Sequence, residues 1–149
     1  MNNRDESNDQ SDEAQQLDWL EKQLSDENTP DRKFLIQMHI PPGMWYFQKD
    51  EQFWKSQLQD TFLDILNRYQ DRVSFMLGGH VHSAEIRAPL SSFSVELKNL
   101  TLIMTPGIAP IFGNNPGYTI LSFNDQDVTQ YEFKWRFFQL QEYFLFRYE

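Results

Sequence analysis

The chain contains no cysteine, which excludes a disulfide framework, a thiolate metal site and a thiol nucleophile together. Any metal it holds must use histidine, aspartate, glutamate or asparagine. Basic charge is also scarce, with 13 Lys and Arg against 22 Asp and Glu and a formal charge of −9. A surface that grips nucleic acid or anionic lipid by counterion release needs clustered cations, so neither partner is expected. No apolar run is long enough to span a bilayer, and the acidic stretch from Met1 to Gln16 has no apolar core of the kind a signal peptide carries. These absences leave the compartment open.

What is present suits a packed core. The 149 residues are 40% hydrophobic and 15% aromatic, about one domain's worth of material. Residues 1–15 are polar and acidic, and we expect a disordered tail there. Leu17, Leu20 and Leu24 recur at helical spacing and predict a short amphipathic helix, stopped by Asn28, Thr29 and Pro30. Phe34 to Ile40 is a strand-sized apolar run ending in Pro41, Pro42 and Gly43, followed by a loop carrying Trp45, Tyr46 and Phe47. From Glu51 to Tyr69 the residues Trp54, Leu58, Phe62, Ile65, Leu66 and Tyr69 share one helical face. Val73 to Leu77 predicts a second buried strand, broken by Gly78 and Gly79.

That βαβ rhythm predicts an α/β layer with functional loops at the strand ends. Beyond it the pattern turns β-rich, with strand-like runs at Leu100 to Met104, Tyr118 to Phe123 and Val128 to Phe137. Thr105 to Gly117 reads as a long, specifically shaped loop, and 138–149 as an aromatic C-terminal segment.

All 3 histidines fall at predicted strand ends: His39 before Pro-Pro-Gly, His80 and His82 after Gly-Gly. Imidazole is the commonest metal ligand near neutral pH, and a His-x-His pair can serve one ion or divide between two. A lone strand-end histidine is more simply explained by a bond to a backbone carbonyl, and a bare His-x-His by chance spacing. The coincidence of all three at strand ends favours a metal site. Neighbouring glycines would let backbone approach it closely. Asn114 and Asn115 read equally as a turn or as a substrate approach, and the aromatic clusters as core, substrate surface or interface. Asn99-Leu100-Thr101 forms a glycosylation sequon.

Five segments occur in a telling order: Gln16-Leu17-Asp18-Trp19-Leu20, His39-Ile40-Pro41-Pro42-Gly43, Gly79-His80-Val81-His82, Thr105-Pro106-Gly107-Ile108-Ala109-Pro110, and Gly113-Asn114-Asn115-Pro116-Gly117-Tyr118. Together they resemble the C-terminal half of the calcineurin-like metallophosphoesterases, in the acid sphingomyelinase-like phosphodiesterase branch. The resemblance makes 16–137 the C-terminal half of a metallophosphoesterase-like domain, part of an α/β sandwich in which a βαβ unit precedes a β-rich segment. It implies two divalent ions, zinc by expectation, that activate a bridging hydroxide against a phosphodiester substrate. By family motif His39 and His80 would ligate one ion and His82 the other. The same resemblance implies a family often secreted or lysosomal.

The family's Asp-x-His, Gly-Asp and Gly-Asn-His motifs are absent from the sequence. Partial, weak metal binding is therefore expected, with no catalytic residue assigned and no efficient turnover unless a partner chain or N-terminal half completes the site. Ser83, Ala84 and Glu85 stand where the branch commonly has Thr and Asp, and Gly107 and Ala109 where hydroxyl residues are usual, so support around the ligands would differ. The alternative is a non-catalytic remnant acting as an interaction module. A cupin-like barrel using Glu85 fits poorly, because Glu85 follows the pair too closely and the long helix has no place in it.

Overall fold

A computed structural model describes residues 12–45, 48–87, 91–92, 95–96, 100–111, 113–124 and 127–138. Helix α1 (Asp12–Leu24) opens the described chain. Residues 12–15, expected in the acidic tail, form its first turn. Strand β1 (Phe34–Gln37) follows, then a small antiparallel pair, β2 (Met44–Trp45) with β3 (Gln48–Gln52). Helix α2 (Ser56–Tyr69) leads through a short 3-10 turn into β4 (Val73–Gly78). After β5 (Glu85–Arg87) and a paired β6 (Ser91–Ser92) and β7 (Val95–Glu96) come β8 (Leu102–Met104) and a long hairpin, β9 (Gly117–Asn124) with β10 (Asp127–Phe137).

The central sheet has the order β1-β4-β8-β5. Parallel pairing joins β1 to β4 and β4 to β8, while β5 runs antiparallel along β8. The βαβ unit is therefore β1-α2-β4, and the molecule is a mixed α/β fold. Its core gathers on one sheet face, where Leu17 and Leu24 of α1 and Phe62, Leu63 and Leu66 of α2 meet Met76, Leu102 and Met104. Full burial of each such side chain contributes roughly 1.5–3 kcal/mol relative to exposure. The opposite face is covered by the β9-β10 hairpin, whose Phe123 and Tyr131 rings pack on Phe75 of β4 at 5.7 and 4.2 Å.

Two expectations shift. The expected loop around Trp45 carries the β2-β3 pair, and α2 begins at Ser56, not near Glu51. Gln48 to Gln52 has no apolar residue, so nothing there extends the buried face of α2. Trp54, assigned by periodicity to the helix, lies just before it, packs on Phe62 at 5.1 Å and donates its indole N–H to the Ile40 carbonyl at 3.0 Å. Tyr46, Phe47, Asn99 of the sequon, residues 1–11 and the aromatic segment from 139 onward lie outside the described residues.

Candidate metal centre at the carboxyl ends of the parallel strands

In an open α/β sheet the carboxyl ends of the strands face the connecting loops, which is where ligands bind. The three histidines fold to this end. His39 lies two residues beyond β1, and its carbonyl accepts the Gly79 N–H at 3.0 Å, so the β1-β4 ladder continues past the strands. This tie delivers the His39 ring to His80: the two stand edge to face with centroids 5.4 Å apart. Phe53 meets the His80 ring in a similar edge contact at 5.2 Å.

The turn holding the pair has an unusual backbone. His80 and His82 both adopt positive φ, at 70° and 54°. Left-handed backbone costs a non-glycine residue about 1–2 kcal/mol, and such strain concentrates at binding and catalytic sites. Val81, between them, compensates by burial, being 2% exposed and packed in the core. The strained turn is thus pinned through its middle residue, with the imidazoles on either side.

His82 is oriented by the loop after β8. Its Nδ1 stands 3.2 Å from the Ala109 carbonyl, which can only accept, so in this contact Nδ1–H donates. Gly107 makes the arrangement possible: a Cβ there would sit 2.2 Å from His82 Nδ1. The loop itself is tied down where Thr105 N–H donates to the Gly78 carbonyl at 2.9 Å and Gly117 N–H to the Gly107 carbonyl at 2.8 Å. Asn114 turns its side-chain amide toward the Val81 carbonyl at 3.5 Å, so it serves the histidine turn.

Burial favours the neutral form of the His80 ring. The pKa of His80 is lowered from 6.5, first by desolvation and then by the facing His39 and His82. A neutral imidazole keeps the lone pair a metal needs. A cleft of about 520 Å³ opens beside His39, with Gln37, Gly79 and Thr105 among its walls.

The structure brings His39 and His80 together and sets His82 apart against Ala109. Among the described residues, no three histidine or carboxylate side chains converge on one metal position. The donor set among the described residues fits a share of a centre: two imidazoles on one side and a third separately held. Sequence reasoning missed several contributors, namely the Phe53 ring, the Ala109 carbonyl and the side chains binding the His39 loop. That loop is held by Trp54 at Ile40, by Gln59 Oε1 accepting the Gly43 N–H at 2.7 Å, and by Arg87 Nη1 donating to the Pro42 carbonyl at 3.0 Å. Backbone-directed bonds of this kind leave no periodic trace, although Glu85 and Arg87, opposite charges two apart on a strand, share a face.

The chain is similar to known phosphodiesterases over most of its length. A sphingomyelinase phosphodiesterase D from Dictyostelium discoideum is 31% identical over 129 residues, covering 78% of this chain and 28% of the relative. The chain's curated relatives are acid sphingomyelinase-like phosphodiesterases. A cyclic GMP-AMP phosphodiesterase from Bos taurus is 26% identical over 124 residues, 79% of this chain and 27% of its own length. The acid sphingomyelinase-like phosphodiesterase 3b of Homo sapiens is 24% identical over 109 residues, 73% of this chain and 24% of its own. The chain thus spans about a quarter of the length of these phosphodiesterases. No family model matches it. Among the described residues, no helix is long and apolar enough to cross a membrane.

Proposed function

We propose that this chain is the C-terminal portion of a metal-dependent phosphodiesterase and supplies three imidazole ligands to its binuclear centre. The observation that carries the reading is the convergence of His39 and His80 at the carboxyl ends of β1 and β4, with both His80 and His82 held in strained backbone. His39 and His80 would hold one divalent ion, with zinc the expected metal, and His82 the other. When bound, such paired ions supply nucleophile activation and charge stabilisation for phosphodiester cleavage.

The chain's own residues perform the preparation. Phe53 shields one side of the His80 ring. Ala109 and Gly107 fix the orientation of His82, and the Gly79 N–H holds the His39 carbonyl beside the turn. Because the described donors fill a share of the coordination positions, efficient turnover requires the remaining ligands from elsewhere. A phosphate ester approaching a chain of charge −9 also needs the concentrated positive charge of the ions.

The test is metal content and hydrolysis of bis(p-nitrophenyl) phosphate by the purified chain, with and without His80→Ala. We expect weak, histidine-dependent metal binding and no efficient hydrolysis. Robust turnover lost in His80→Ala contradicts the claim of a partial centre, and binding insensitive to His80→Ala contradicts the ligand assignment. A second reading, a non-catalytic interaction module, draws on the exposed Tyr118, Phe137 and Phe138 at one end of the hairpin. Stable, metal-independent dimers dispersed by Phe137→Ser would favour it.

A further inference from the structure

We infer that Arg87 is a positioning residue that sets the approach of His39 to His80 by strapping the His39 loop to the strand leaving the histidine turn. The guanidinium is largely buried, with its side chain 17% exposed. Its Nε and Nη2 donate to Glu85 Oε2 at 3.3 and 3.2 Å, while Nη1 reaches across to the Pro42 carbonyl at 3.0 Å. Glu85 in turn accepts from the Ser83 hydroxyl through Oε1. A continuous run of contacts thus joins Pro42, three residues after His39, to Ser83, which directly follows His82.

The chemistry suits a strap. A planar guanidinium engaged on one edge by a carboxylate has its remaining donors fixed in direction. Here Glu85 supplies that engagement from position i−2 of the same strand, and the fixed donor is aimed at a backbone carbonyl. Hydrogen bonds from a charged donor are roughly twice as strong as neutral ones. Both partners are partly buried, with side chains 17% and 28% exposed, which protects the pair from the screening that makes rim ion pairs weak. Gly43, with φ at 95°, lets the loop turn directly after Pro42 in a conformation that a side chain would strain.

The other side-chain ties on this loop run elsewhere. Trp54 precedes α2 and Gln59 lies within it, so both bind the loop to the helical layer. Arg87 binds it sideways, to the segment that carries His80 and His82. Losing the helical ties would loosen the loop from α2, whereas losing Arg87 would free the loop beyond His39 to shift against the histidine turn, with the backbone bond from Gly79 to His39 retained. For ring spacing the inference stands by itself; for metal affinity it rests on the reading of the three histidines as ligands.

The experiment compares the full chain with Arg87→Met, which keeps the aliphatic stem, and Arg87→Lys, which keeps a cationic donor. Three quantities are read: the nuclear Overhauser contact between the His39 and His80 rings, the thermal midpoint, and the Co(II) dissociation constant. We expect the ring contact to be lost in Arg87→Met and at most partly recovered in Arg87→Lys, which keeps the charge without the planar fork, with Co(II) affinity falling by about 10- to 100-fold in the former. A merely structural role would lower the midpoint and leave the ring contact intact. Wild-type ring contact in folded Arg87→Met overturns the inference. Should Arg87→Met fail to fold, Glu85→Gln removes the charge that orients the guanidinium and must weaken the same contact; an unchanged contact there overturns the inference equally. If the unmodified chain binds no Co(II), the metal reading fails, while the ring contact still decides the role of Arg87.

Discussion

The decisive residues are few, and their backbone is as informative as their rings. At φ 70° His80 occupies a conformation that glycine would adopt without strain. His80→Gly is therefore expected to stabilise the fold by about 1 kcal/mol, read as a higher thermal midpoint, while removing histidine-dependent metal binding. A clear loss of stability would show that the ring contacts with Phe53 and His39 outweigh the strain.

The lowered pKa of His80 gives a further expectation with a definite sign. The unfolded chain, titrating near 6.5, takes up its proton before the folded one does. The stabilising contribution is thus complete above that pH and declines as the pH falls from there through the folded pKa. In the metal-free protein the imidazole resonances of His80 should titrate below 6.5, because burial and the two neighbouring histidines oppose its charge. A midpoint at or above that value would contradict the packing described. Gly107 makes a third case at this scale. Its Cβ would stand 2.2 Å from His82 Nδ1, so Gly107→Ala should displace the ring and weaken metal binding by about 10- to 100-fold with little change in the midpoint. Titration calorimetry with Co(II) reads the difference.

Among the elements, the junction of α1 with the strands depends on one cation. Arg72 donates through Nη1 to the carbonyls of Leu24 and Asp26, at 2.8 and 2.9 Å, and through Nη2 to the Thr29 carbonyl and, at 3.4 Å, to its hydroxyl. Its guanidinium also lies over the Phe34 ring at 5.3 Å. Removing this group leaves carbonyls at the end of α1 without their donor. We expect Arg72→Met to cost about 2–4 kcal/mol in denaturant unfolding, against less than 1 kcal/mol for the exposed ion-pair variant Arg68→Met.

The contrast explains what was legible in the sequence. Strands β1, β4, β8, β9 and β10 and helices α1 and α2 follow from apolar periodicity, because burial on one face imposes a period on the side chains. The β2-β3 pair does not, since Gln48 to Gln52 is polar throughout and its pairing is a backbone matter. Within the site, the strand-end positions of His39, His80 and His82 could be read from the flanking Pro-Pro-Gly and Gly-Gly. Arg87 reaching Pro42 across 45 positions could not, because side chain to carbonyl bonds over such separations follow only from the assembled fold.

For the whole molecule, the sheet order β1-β4-β8-β5 brings His39 beside His80, while the loop after β8 holds His82 separately. One face of the sheet is sealed by α1 and α2 and the other by the β9-β10 hairpin through Phe75, so the loops at the strand ends rest on a packed support. Relatives that are phosphodiesterases match along 78% or 79% of this chain, yet the chain covers 28% or 27% of their length.

The most direct measurement is Zn(II) or Co(II) titration of the purified chain followed through the imidazole resonances, with His39→Ala, His80→Ala and His82→Ala in parallel. The account predicts weak binding that perturbs all three histidines, with the His39→Ala and His80→Ala losses overlapping because the two rings serve one ion, and His82→Ala adding to either. Metal binding unaffected by all three substitutions would contradict it.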